Sequence, residues 1–115
     1  MVQTRAEKQT RLAEVEDWAH KLNQNSLECR NYGHSWRPRT ALWDEGERCF
    51  EEMVRCVRCR TERIKLLDRF GMVISSQYRY PPGYMKKGIG RLAPEDRGML
   101  RLEAVHRQIN RKTNE

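Results

Sequence analysis

Apolar residues recur at helical spacing towards both ends of the chain and alternate with charged residues in its middle. Over residues 4–24, Leu12, Val15, Trp18, Ala19 and Leu22 fall on one face about 120° wide. Glu7, Glu14 and Asp17 lie mostly off that face. This pattern predicts a helix that docks its apolar stripe on the rest of the protein, with a helical dimer contact as the other use of the same stripe. The polar run Asn23-Gln24-Asn25-Ser26 ends it. Residues 94–112 carry a second helical pattern. Pro94 suits the first helical position, and Glu95 and Asp96 suit the first turn. Met99, Leu102, Val105 and Ile109 share one side, while Arg97, Arg101, Arg107, Arg111 and Lys112 gather on the other. Gly98 weakens the first turn by roughly 1 kcal/mol.

Between these segments the period shortens to that of strands. Trp43-Asp44-Glu45-Gly46-Glu47 reads as a hairpin turn, and Phe50 to Arg55 as the returning strand. Ile64 and Leu66 alternate with charged neighbours, Asp68-Arg69-Phe70-Gly71 turns the chain, and Met72 to Tyr78 returns. Pro81-Pro82-Gly83 excludes regular structure, so residues 81–93 are a loop. The expected fold is a small α+β zinc ribbon: one domain over 1–115, with antiparallel hairpins in 27–80 and a helix at each end. The zinc in that description comes from the cysteines.

Cys29 and His34 form C-x4-H, and Cys56 and Cys59 form C-x2-C after a spacer of 21 residues. A tetrahedral zinc site takes four such ligands as two close pairs, and this spacing is that of a ribbon. Asn31-Tyr32-Gly33-His34 is expected to make a tight turn that brings His34 back to Cys29. Cys49 is the rival ligand. It stands seven residues before Cys56 in one apparent strand, which would separate the two by roughly 23 Å. The preferred ligands are therefore Cys29, His34, Cys56 and Cys59, with Cys49 as a small buried hydrophobe. Iron–sulfur clusters call for tighter cysteine groups without histidine, and a redox C-x2-C calls for a βαβ setting. Four protein ligands close the site, which makes the zinc structural and not catalytic.

Composition fits this picture. With 115 residues, 37% hydrophobic and 34% charged, the chain has a thin core. A structural zinc, at about 10 kcal/mol, would offset that deficit. No apolar run approaches the roughly 20 residues of a membrane span, and the N-terminal stretch has no secretory apolar core. A cytoplasmic location is expected, where paired cysteines serve metals more often than disulfides. The net charge of +7 is uneven: zero over 1–25, +1 over 26–60, +2 over 61–80 and +4 over 81–115. That field would steer an anionic partner such as nucleic acid.

The segment Cys29-x4-His34-x-Trp36, Cys56-x2-Cys59 and Arg79-Tyr80-Pro81-x-Gly83-Tyr84 resembles small zinc-ribbon proteins of unassigned function encoded by bacteriophages of actinobacteria. The resemblance covers residues 29–84. It implies a phage-encoded protein working in host cytoplasm. Zinc ribbons in general resemble modules of the transcription machinery, which implies nucleic acid or a polymerase subunit as partner.

Nothing in the chain marks an enzyme. His20 and His106 lack neighbouring partners for acid–base work, and Gly83 to Gly90 lacks the Lys-Ser/Thr of a phosphate-binding loop. No small-molecule substrate and no membrane partner is expected. Arg55, Arg58, Arg60 and Arg63 surround the second cysteine pair, and Arg30, Arg37 and Arg39 the first. Their forks match phosphates, and Trp36, Tyr78, Tyr80 and Tyr84 offer rings for bases. Trp36 is read as capping the metal core, whereas Tyr80 and Tyr84 stay open between the two uses. The expected function is a non-enzymatic, zinc-dependent regulator that binds nucleic acid, DNA ahead of RNA, through Arg55, Arg58, Arg60, Arg63, Arg97, Arg101, Arg107 and Arg111. The rival is a protein adaptor. Glu45, Glu47, Glu51 and Glu52 favour it, because they would repel a phosphate backbone.

Overall fold

A computed structural model describes residues 4–113, and the side chains of residues 4–111. The order is α1 (Arg5–Lys21), α2 (Gln24–Tyr32), β1 (Trp36–Asp44), β2 (Cys49–Cys56), β3 (Glu62–Leu67), β4 (Val73–Arg79) and α3 (Pro94–Thr113). The fold is α+β, with one antiparallel sheet and helices towards both ends, as expected. The sequence suggested one domain; the chain groups into two compact units, Met1–Gly33 with Gly83–Glu115, and His34–Pro82.

The helical unit holds the apolar core: Val15, Trp18, Ala19, Leu22, Leu27, Ile89 and Leu100, with Leu92, Met99 and Ala104 packed against it. Thr4 starts α1 with a capping box, its hydroxyl accepting from the Glu7 amide while the Glu7 carboxylate accepts from the Thr4 amide. The α1 stripe is buried as its spacing predicts, apart from half-buried Leu12. A second helix follows where the sequence suggested a break and then a tight turn. Asn23 caps α2, its side-chain oxygen accepting from the Asn25 amide, so the polar run starts a helix instead of merely ending one.

The face that α3 buries also differs from the expected one. Asp96 and Leu100 are buried, while Leu102, Val105 and Ile109 are each about half exposed. Two polar clasps set this rotation. The first joins α3 to α1: the Arg11 guanidinium donates to both oxygens of fully buried Asp96 at 2.8 and 2.7 Å, and the same carboxylate accepts from the Ala93 amide at the helix start. The second is Arg107. It donates to Glu103 on its own helix, to the carbonyls of Ala19, His20 and Leu22 at the end of α1, and to the Gln24 side chain. Of these carbonyls, that of Ala19 also accepts from the Leu22 amide; the last carbonyls of a helix lack their usual partners, so a cation there satisfies them and the helix dipole together.

The loop after the prolines is irregular, as expected, yet it anchors the helical core through Tyr84 and Ile89. Trp18 donates its indole N–H to the Gly83 carbonyl at 2.8 Å. The Arg30 guanidinium lies 4.2 Å from the Tyr84 ring centre and 5.4 Å from that of Trp18. Tyr84 is thus a core residue.

The sheet unit is a four-stranded antiparallel meander in the order β1-β2-β3-β4. The hairpin turns fall where the sequence put them. Asp44 accepts from the Glu47 amide in the first, and Asp68 accepts from the Phe70 and Met72 amides in the second. Arg39 is a bulge in edge strand β1, beside Pro38, and both guard that edge against pairing. Strand β4 is exposed throughout and has its own bulge at Ile74.

Candidate metal centre and arginine cleft

Cys29 lies in the last turn of α2. Gly33 ends that helix with φ +87°, its amide donating to the Cys29 carbonyl at 2.8 Å. Only glycine adopts that backbone without strain, and the bend it makes leads directly to His34. The second pair sits in the turn between β2 and β3. Cys56 ends β2, its amide donating to the Thr61 carbonyl, and the Arg60 amide donates back to the Cys56 carbonyl. Arg60 is left-handed, with φ +67°. A non-glycine residue there is strained and worth explaining.

These elements bring Cys29, His34, Cys56 and Cys59 together, with all four ligand atoms within 4.8 Å of one another. Zinc–sulfur bonds of about 2.3 Å in a tetrahedron place ligand atoms about 3.8 Å apart, so one ion fits with small side-chain shifts. The donor set, three thiols and an imidazole, is compatible with zinc. His34 Nδ1 lies 3.3 Å from the Cys59 sulfur. Thr61, fully buried, places its hydroxyl 3.0 Å from the same sulfur. A metal-bound sulfur accepts that hydrogen bond, and such outer partners orient ligands. Burial alone would raise the Cys56 thiol, but N–H donors of Cys59, Arg58 and Ser35, with the His34 ring, bring it down to about 5. That sulfur is prepared as a thiolate, the form a metal takes.

Cys49 lies at the other end of β2 from Cys56 and is buried. Burial and the carboxylates of Asp44, Glu47 and Glu51 push its thiol up. It stands outside the cluster, as the strand argument required. No disulfide joins any of the four cysteines.

The arginines meet different fates. Arg37, Arg39, Arg55 and Arg60 line one cleft of about 300 Å³ beside Cys56, with Pro38 and Val57 as its apolar walls. Arg55 is also paired with Glu62 at 3.2 Å. Arg58 is half-buried in the cysteine turn. Arg63 lies over the Tyr78 ring and donates to the Ser76 hydroxyl. On α3, Arg97, Arg101 and Arg111 are exposed, but Arg107 is engaged by Glu103 and the end of α1, so the basic face is smaller than the sequence suggested. The acids that argued against a phosphate backbone sit away from the cleft. Glu45 and Glu47 are in the β1–β2 turn, and Glu52 pairs with Lys65 midway along the sheet. The expected set omitted Arg37 and Arg39, although their arginine-rich setting near the first ligand pair was visible; the bulge that brings them beside Arg60 was not.

No protein-family model, curated protein or solved structure matches this chain. Among the described residues, no helix is long and apolar enough to cross a membrane.

Proposed function

We propose that this chain is a non-enzymatic zinc-ribbon protein that binds nucleic acid. The ribbon reading, with its resemblance to phage-encoded ribbons, rests on the order Cys29, His34, Cys56, Cys59 and on the hairpins around the second pair. The arginine cleft carries the functional reading. Four guanidinium-bearing residues converge beside Cys56, and no acidic residue lines the cleft. Guanidinium forks bind phosphate oxygens in pairs. The strained backbone of Arg60 holds one of those side chains at the cleft, at a position where glycine would be easier. Zinc contributes by fixing the turn that carries Arg60. His20 contacts Glu103 at 3.4 Å and shares a cleft with His106 and Arg107, so these histidines do have the titratable neighbours that the sequence did not suggest.

Fluorescence anisotropy over a salt series tests the proposal. Affinity should fall steeply with salt, and replacing Arg37, Arg39 and Arg60 with serine should flatten the slope by up to about 0.9 per lost phosphate contact on duplex DNA. Unchanged slopes would remove the cleft from the interface. A second reading, protein adaptor, is favoured by the outward apolar stripe Leu102, Val105 and Ile109 on α3. Absence of nucleic-acid binding at low salt would promote it.

A further inference from the structure

Four aromatic side chains at the cysteine end of the sheet unit, His34, Trp36, Tyr78 and Tyr80, form a row that the metal site does not use up. It starts at His34, whose ring centre is 4.7 Å from that of Trp36. Trp36 stands 6.3 Å from Tyr78, and Tyr78 stands 5.8 Å from Tyr80 with ring planes only 4° apart. Strand register explains the placement. Trp36 is opposite Cys56, and Arg63 joins Val54 on one side to Tyr78 on the other, so these residues share one face at the metal end of the sheet. Tyr80 follows two residues after Tyr78 and returns to that face. The Arg63 guanidinium lies 5.5 Å from the Tyr78 ring centre. Rings that merely capped a core would be covered, but Tyr78 and Tyr80 are 44% and 41% exposed.

We infer that this row stacks unpaired bases, so that the nucleic acid bound is single-stranded. The inference rests on the nucleic-acid reading above and narrows it. In a duplex the base faces are already stacked on one another and only their edges are presented in the grooves. The exposed Tyr78 and Tyr80 rings therefore have nothing to stack against in a duplex. Single strands offer base faces, and every base has one, so the row selects strand state and not sequence. Arg63 adds a planar cation beside the Tyr78 ring, which strengthens stacking. The cleft arginines lie at the same end of the sheet, but by the same alternation Arg37 and Arg55 are on its other face, so Arg63 is the cation on the face of the row. Ribose and deoxyribose strands share this chemistry, and the row does not separate them.

The test compares anisotropy of the metal-loaded chain with oligothymidylate, oligouridylate and a duplex hairpin of about ten nucleotides per strand. Either single strand should bind more tightly than the duplex, and the ratio of the first two tells whether DNA or RNA is preferred. Replacing Tyr78 and Tyr80 together by leucine should weaken single-strand binding by roughly tenfold or more, with the salt slope unchanged because no charge is removed. Phenylalanine at both positions should restore binding. An oligomer of abasic sites needs no variant: it keeps the phosphates and should bind the wild type as weakly as thymidylate binds the leucine variant. Tighter duplex binding, or equal affinity for abasic and thymidylate strands, would overturn the inference while leaving the arginine cleft standing. No binding of any strand at low salt would instead remove the nucleic-acid reading itself.

Discussion

Asp96 shows how much one side chain can carry here. It is fully buried, it is paired with Arg11, and it holds the Ala93 amide at the start of α3. Removing one member of a buried pair leaves the other charge without compensation, so Asp96→Ala should cost about 3 kcal/mol, read as a shifted denaturant midpoint of the helical signal. Arg60 is the opposite case, a residue whose backbone works against stability. Arg60→Gly should relieve the left-handed penalty and stabilise the chain by up to about 1 kcal/mol. The same change should weaken oligonucleotide binding. A variant that melts higher yet binds as well as wild type would show that the strain serves no ligand. Cys49 and His34 divide the cysteine question between them. Cys49→Ser should keep one metal ion per chain by elemental analysis, and His34→Ala should not, because only His34 lies in the cluster.

At the level of elements, the clasp between α1 and α3 has a pH signature. Burial would raise the Glu103 carboxyl, but hydrogen bonds from Arg107 and His20 hold it below its ordinary value of 4.5. An acid depressed in the fold stabilises it above the unfolded value and loses that contribution as pH falls through the folded one. Stability measured from neutral pH down to well below 4.5 should therefore decline, and Glu103→Gln should be weaker at neutral pH with a shallower decline. The elements also show what the sequence reveals. Two of the three hairpins were legible from their turns, because Asp44 and Asp68 announce them and β-type alternation flanks them. The grouping of Cys29, His34, Cys56 and Cys59 was legible from spacing, since a strand cannot bring Cys49 to Cys56. Helix α2 was hidden because Asn23 both follows one helix and caps the next, and nine residues are too few for a clear period. The buried face of α3 was hidden for a different reason. Its apolar stripe is real, but polar groups far apart in sequence, Arg11 with Asp96 and Arg107 with the end of α1, decide which side turns inward.

For the molecule as a whole, burial is uneven. Apolar side chains gather in the helical unit, whereas among residues 34–82 Cys49, Cys56, Cys59 and Thr61 alone are buried. We predict that a sheet so thinly covered depends on a metal held by the cluster of Cys29, His34, Cys56 and Cys59. Chelation at neutral pH should abolish the sheet's circular dichroism and the ordered near-ultraviolet signal of Trp36 and Trp43. Retention of both would make the ion peripheral. The same wet sheet has a thermal consequence. The heat capacity of unfolding comes chiefly from apolar surface newly exposed to water, and no residue of either outer strand is buried. Calorimetry of the metal-loaded chain should therefore give an increment below the usual figure of about 12–15 cal/mol/K per residue. Its stability curve would then be broad and shallow, losing little on cooling and giving no sharp optimum temperature.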